Sequence, residues 1–169
     1  MKTLARIIIF QTLWFVFLSL HNFEYGFLLP IAALLAVYMD WKLSGSEISF
    51  KNLNLFLLLL LAFGLLIDTP LHYLGFVQFE SLSFGLLSPF FMWCMWIIFV
   101  PYYDFAFTKF YNAKKLGFLL VLVGAPLAYK GGSKIADFSF STESLIYIAI
   151  SWGIFFPISL WVYPRLVES

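Results

Sequence analysis

The run LNLFLLLLLAFGLLIDTPLHY, residues 53–73, decides how this chain is read: it carries no ionisable group from Leu53 to Ile67, then sets Asp68 and His72 four residues apart. A stretch of that length and character matches the ~20 residues a helix needs to cross a hydrocarbon layer of ~30 Å. Five more apolar blocks flank it, which predicts spans at about 5–20, 27–42, 53–73, 88–103, 116–129 and 145–162. Each should be helical, because hydrocarbon offers the backbone no hydrogen-bond partner outside its own segment. The expected fold is all-α: a polytopic membrane protein, a bundle of six transmembrane helices, with residues 1–169 forming one transmembrane domain.

Composition supports that solvent. Of the 169 residues 63% are hydrophobic and only 11% charged, whereas soluble domains carry about 25% charged residues. Six spans consume roughly 120 residues, leaving short connections. The net charge of +1 comes without the basic cluster and interleaved aromatics that nucleic-acid binding requires, so nucleic acid is not an expected partner. Cys94 is the single cysteine and lies inside an apolar block, which excludes disulfides and cysteine-rich metal sites. No metal and no cofactor is expected. Lys2 and Arg6 precede the run from Ile7 to Leu20 as in a secretory signal, but Ser19-Leu20-His21-Asn22 offers no small-x-small cleavage pattern. The first block is therefore expected to stay as a signal anchor.

The loops give orientation. Lys2, Arg6, Lys42, Lys51, Lys109, Lys114, Lys115 and Arg165 fall on one side and only Lys130 and Lys134 on the other. By the positive-inside rule both termini of this multi-pass protein are cytoplasmic. Trp41, Tyr102, Tyr103, Trp161 and Tyr163 at one set of ends, and Tyr25, Tyr73 and Tyr129 at the other, read as interfacial belts. Ser88-Pro89 reads as an N-cap followed by proline at the first helical position, and Gly131-Gly132 as a poor continuation of the fifth helix. Pro70, Pro126 and Pro157 should each kink or divide a helix, leaving a carbonyl for a neighbour to re-pair. Phe63-Gly64-Leu65-Leu66-Ile67 also resembles Trp152-Gly153-Ile154-Phe155-Phe156, as an inverted repeat of three plus three helices would.

Ionisable and polar residues inside a membrane are costly, so they are the candidates for function. Asp68 and His72 share one helix face and are the candidate catalytic residues: that spacing suits a general acid/base pair or two metal ligands. The structural alternative is that Asp68 or Thr69 caps a short helix beginning at Pro70 while His72 reaches the headgroup layer. Lys130 either snorkels to water or neutralises Asp68. Asp40 and Asp104 read as interfacial residues at helix ends. Gln11 needs a hydrogen-bond partner across a helix interface or from a ligand. Trp93 and Trp96 at i, i+3, beside Met92, Cys94 and Met95, line a cavity for an acyl chain or else pack the core. No catalytic motif of familiar spacing occurs.

The segments Phe10-Gln11-Thr12-Leu13-Trp14-Phe15, Gly64-Leu65-Leu66-Ile67-Asp68, Ser88-Pro89-Phe90-Phe91-Met92-Trp93-Cys94-Met95-Trp96 and Gly124-Ala125-Pro126-Leu127-Ala128-Tyr129-Lys130-Gly131-Gly132 resemble the bacterial inner-membrane family called domain of unknown function 2878. The resemblance implies a compact six-span protein of Gram-negative bacteria with no assigned activity. Gln11, Trp14, Asp68, Trp93, Trp96, Pro126, Tyr129 and Trp152 match its pattern, and Lys130 departs from it. The expected function is to bind or modify a lipid or other hydrophobic small molecule in an intramembrane pocket open toward the outer leaflet. Asp68 and His72 would form its polar end, and Gln11, Trp14, Trp93, Trp96, Tyr129 and Trp152 its wall. The alternatives are a small transporter built on the inverted repeat, or a non-catalytic accessory subunit. Membrane lipids are the expected partners, with homo- or hetero-oligomers left open.

Overall fold

The computed structural model describes residues 2–44, 48–79, 83, 85–136 and 138–168; the side chains of residues 2, 3, 104–106, 108 and 168 lie outside that description. Lys2, assigned above to the basic side, and Asp104, read above as an interfacial residue, are among those side chains. The described residues form six α-helices: α1 Lys2–Ser19, α2 Leu29–Ser44, α3 Phe50–Tyr73, α4 Phe90–Ala106, α5 Lys114–Ser133 and α6 Thr142–Glu168. Helices α2 (with the 3-10 turn Gly26–Leu28 before it), α3, α5 and α6 are long and apolar enough to cross a membrane, and α1 and α4 are shorter apolar helices. This is a helical membrane protein.

Helix α4 is the hub. It packs against α1, α2 and α3, while α3 also meets α6, and α5 rests on α6. Not one described side chain of α4 is exposed, so its length of about 25 Å need not match a bilayer: its neighbours meet the lipid. At one end of the bundle Arg6 of α1 donates from Nε and from Nη2 to the two oxygens of Asp40 on α2, at 3.2 and 2.7 Å, and from Nη2 to the Pro101 carbonyl of α4 at 3.2 Å. Asn52 of α3 donates to the Leu166 carbonyl of α6 at 2.7 Å at the same end. At the opposite end the α3–α4 and α5–α6 loops meet in two antiparallel two-residue strands, β1 Val77–Gln78 and β2 Ser139–Phe140. Ser144 Oγ fastens this cap to the Phe76 carbonyl at 2.6 Å. The strands qualify an all-α reading: loop backbone near hydrocarbon still needs partners, and these two loops supply each other's.

Prolines and glycines do not divide the helices, and the carbonyl freed by Pro70 is re-paired by a neighbour as expected. Helix α3 runs unbroken through Pro70, so neither Asp68 nor Thr69 caps a second helix. The carbonyl four residues before that proline, Leu66, accepts from Tyr147 OH of α6 at 3.1 Å, which replaces the bond Pro70 removes. Helix α5 continues past Gly131-Gly132 to Ser133, because the glycine penalty of about 1 kcal/mol each is smaller than the cost of unpaired backbone in an apolar layer. At α4 the N-cap is Pro89 itself, and Ser88 Oγ instead accepts from Trp93 Nε1 at 3.2 Å.

The packing lacks the symmetry of an inverted repeat. The extensive α5–α6 contact has no comparable α2–α3 counterpart, nor does α2–α4 have one in α5–α1. The two similar glycines also serve different partners: Gly64 faces Trp96 of α4, and Gly153 faces Leu122 and Phe118 of α5.

Arg6 therefore joins three helices, and Asp40, as its carboxylate partner, is more than an interfacial end residue. Asp40→Ala should lower stability of the detergent-solubilised protein by about 1–3 kcal/mol, with Arg6→Ala adding little on top in a double-mutant cycle read by thermal melting.

Candidate functional site

Asp68 is completely buried in the last third of α3. A carboxyl group cut off from water costs several kcal/mol unless donors replace its hydration, and two do. Trp96 Nε1 of α4 donates to Oδ2 at 2.7 Å and Tyr129 OH of α5 donates to Oδ1 at 2.5 Å. Both oxygens are thus engaged by residues from two other helices.

Gly64, one turn before Asp68, makes the first bond reachable. A Cβ at Gly64 would sit 2.4 Å from Trp96 Cδ1 and 2.7 Å from its Nε1, so only a bare backbone lets the indole lie across α3. The indole ring then stacks on Trp152 of α6, centroids 5.0 Å apart and planes 17° from parallel. Trp152 Nε1 is buried and has no hydrogen-bond partner among the described residues. Four helices converge here: α3 gives the acceptor, α4 and α5 the donors, α6 the stacking surface.

On the far side of these rings lies a cavity of about 570 Å³ between α1 and α5, backed by α4. Its wall includes Gln11 and Trp14 of α1, Trp96, Tyr129 and Trp152. Phe10 and Tyr102, stacked 4.1 Å apart, line it toward the basic end. At the strand end α1 and α5 come together, where a Cβ on Gly132 would touch Leu18 and Trp14 at 3.6–3.7 Å. Elsewhere the two helices stand apart, and the gap between them gives onto whatever surrounds the bundle.

Of the residues singled out from sequence, Asp68, Trp96, Tyr129 and Trp152 form one constellation, and Gln11 and Trp14 face it across the cavity. Asp68 itself does not line the space; the rings that bind it do. His72 is set apart. Its Nδ1 is buried with no partner among the described residues, its ring lies 5.7 Å from Phe79, and it makes no bond to Asp68. Trp93 bonds to Ser88, packs on Phe90 and is not part of the cavity wall. Lys130 is exposed and forms no ion pair with Asp68. Among the described residues no group of three His, Cys, Asp or Glu is placed to hold a metal ion.

The family model described as Protein of unknown function (DUF2878) matches residues 3–158. This chain belongs to that family. No curated protein and no solved structure matches it. In this DUF2878 member the match spans the whole constellation, from Gln11 to Trp152, and stops inside α6 before Arg165.

Sequence reasoning found the carboxyl and the rings but missed Gly64 as the slot for Trp96 and Arg6 as the partner of Asp40. The signal for the first was a glycine one turn from a lone intramembrane carboxyl. For the second it was an arginine and an aspartate at matching depth.

Two substitutions test the arrangement. Tyr129→Phe leaves one Asp68 oxygen without its donor and should cost about 1–3 kcal/mol. Gly64→Ala should cost a similar amount by overpacking, and it alone should also shift the tryptophan emission of the folded protein, since it pushes Trp96 off Asp68.

Proposed function

We propose that this is a six-span protein of a bacterial inner membrane, both termini cytoplasmic, that takes one elongated, mostly apolar lipid molecule from the bilayer into the cavity between α1 and α5. The single observation carrying this reading is the cavity itself: about 570 Å³, within the usual ~300–1,000 Å³ of small-molecule sites, and walled by five of the residues that the sequence marked out. Six crossings are supported by the position of α4, which packs against α1, α2 and α3 and has no exposed side chain among those described. The basic residues gathered at one end of the bundle support the orientation.

Gln11 defines the ligand further. It stands midway along α1 on the cavity wall and has no hydrogen bond to a neighbouring helix among the described residues. An amide left unpaired in an apolar layer costs roughly 2–7 kcal/mol, so the ligand that suits this wall brings a carbonyl, ester or hydroxyl part-way along its chain. Asp68 acts here as a positioning residue. Its two oxygens hold the Trp96 indole and the Tyr129 phenol in place, so the cavity keeps its shape when empty.

The test fills the space without touching the constellation. Gly124 lines the cavity, and a Cβ there would meet nothing within 4 Å. With a brominated long-chain fatty ester as probe, the wild type should show saturable tryptophan quenching. Gly124→Leu should lose it at least tenfold while melting no lower than wild type. Quenching that persists unchanged in the variant would end this reading.

A further inference from the structure

The outer surface of the α5–α6 hairpin carries a second, separate feature at the basic end. A groove of about 840 Å³ runs between the start of α5 and the end of α6, floored by Phe118, Leu119, Leu160 and Trp161 and rimmed by Lys114, Lys115 and Arg165. All three cations are exposed. No carboxylate pairs with any of them among the described residues.

Two of the three charges are placed where a helix least favours them. Lys114 and Lys115 occupy the first turn of α5, which has no acidic residue and whose N-cap, Ala113, offers no side-chain acceptor. The N-terminus of a helix already carries about half a positive charge and unpaired N–H groups, so two lysines there add to a field that only an anion relieves. Arg165 adds a third cation from the end of α6. Its guanidinium lies 4.0 Å from the Trp161 ring centroid and donates to the Trp161 carbonyl, which holds it over the groove's aromatic floor.

We propose that this groove binds one anionic phospholipid, its phosphate seated among Lys114, Lys115 and Arg165 and one acyl chain lying along Phe118, Leu119 and Leu160. Three converging cations above an apolar trough match that molecule at both ends. A zwitterionic lipid offers the chain but not the charge, and a free phosphate offers the charge but not the chain. The site rests on the hairpin lying in a bilayer, not on the cavity between α1 and α5.

The test is lipid retention by the full-length protein, followed by native mass spectrometry and by melting temperature in detergent. Added phosphatidylglycerol should remain bound as a single copy and raise the melting temperature, where phosphatidylcholine should do neither. Each lysine or arginine changed to glutamine should weaken retention roughly fivefold, and the triple variant Lys114→Gln, Lys115→Gln, Arg165→Gln should abolish the preference while melting as the lipid-free wild type does. Gly124→Leu, which fills the other cavity, should keep the preference intact. Equal retention of phosphatidylcholine, undiminished preference in the triple variant, or the same stabilisation by inorganic phosphate alone would each overturn the proposal.

Discussion

A carboxyl that water cannot reach governs the arrangement of four of the six helices. Asp68 needs two donors, and in an apolar surround neither can be borrowed from solvent. Supplying them fixes Trp96 of α4 against α3 and Tyr129 of α5 against the same turn. The stacking of Trp96 on Trp152 then carries the constraint to α6. The cavity is a by-product of these demands. Its rear wall is the back of the rings that satisfy Asp68, so the group that gives the cavity its shape is hidden behind the wall it builds.

The same accounting of backbone and side-chain polar groups explains the remainder of the bundle. Proline in α3 frees the Leu66 carbonyl, and Tyr147 takes it up from α6. The end of α6 leaves the Leu166 carbonyl, and Asn52 takes it up from α3. Arg6 gathers Asp40 and the Pro101 carbonyl, joining α1, α2 and α4. Tyr103, fully buried, donates to Ser159, whose own hydroxyl donates to the Phe156 carbonyl. Apolar surface between helices gives little drive where the surroundings are apolar too, so small residues at contacts and paired polar groups supply the specificity. Gly64 and Gly117 are the small residues that matter most here, each admitting a ring where a Cβ would collide.

Six helices were legible because apolar runs of that length leave the backbone no other solution. Their ends were less so. Helix α6 runs on to Glu168 and α5 through Gly131-Gly132, since a helix leaving the apolar layer keeps its bonds while neighbours remain to pack on. The pairings within the site were hidden for a different reason. Spacing along one helix can only propose partners on that helix, and it offered Asp68 the histidine one turn away. The partners that hold Asp68 come from α4 and α5, and only the packing of three helices brings them within reach. Gly64 was visible as a motif residue, but the use of its missing side chain depends on which ring lies opposite.

The near-parallel pair Trp96 and Trp152 has a consequence for observing this protein in action. Two indoles at this separation couple their electronic excitations, and any skew between their transition dipoles gives the pair a split circular-dichroism signal that neither would give alone. Because both rings form the wall against which any guest would press, a small tilt of either changes the sign or size of that splitting. The molecule thus carries its own label-free optical gauge between α4 and α6.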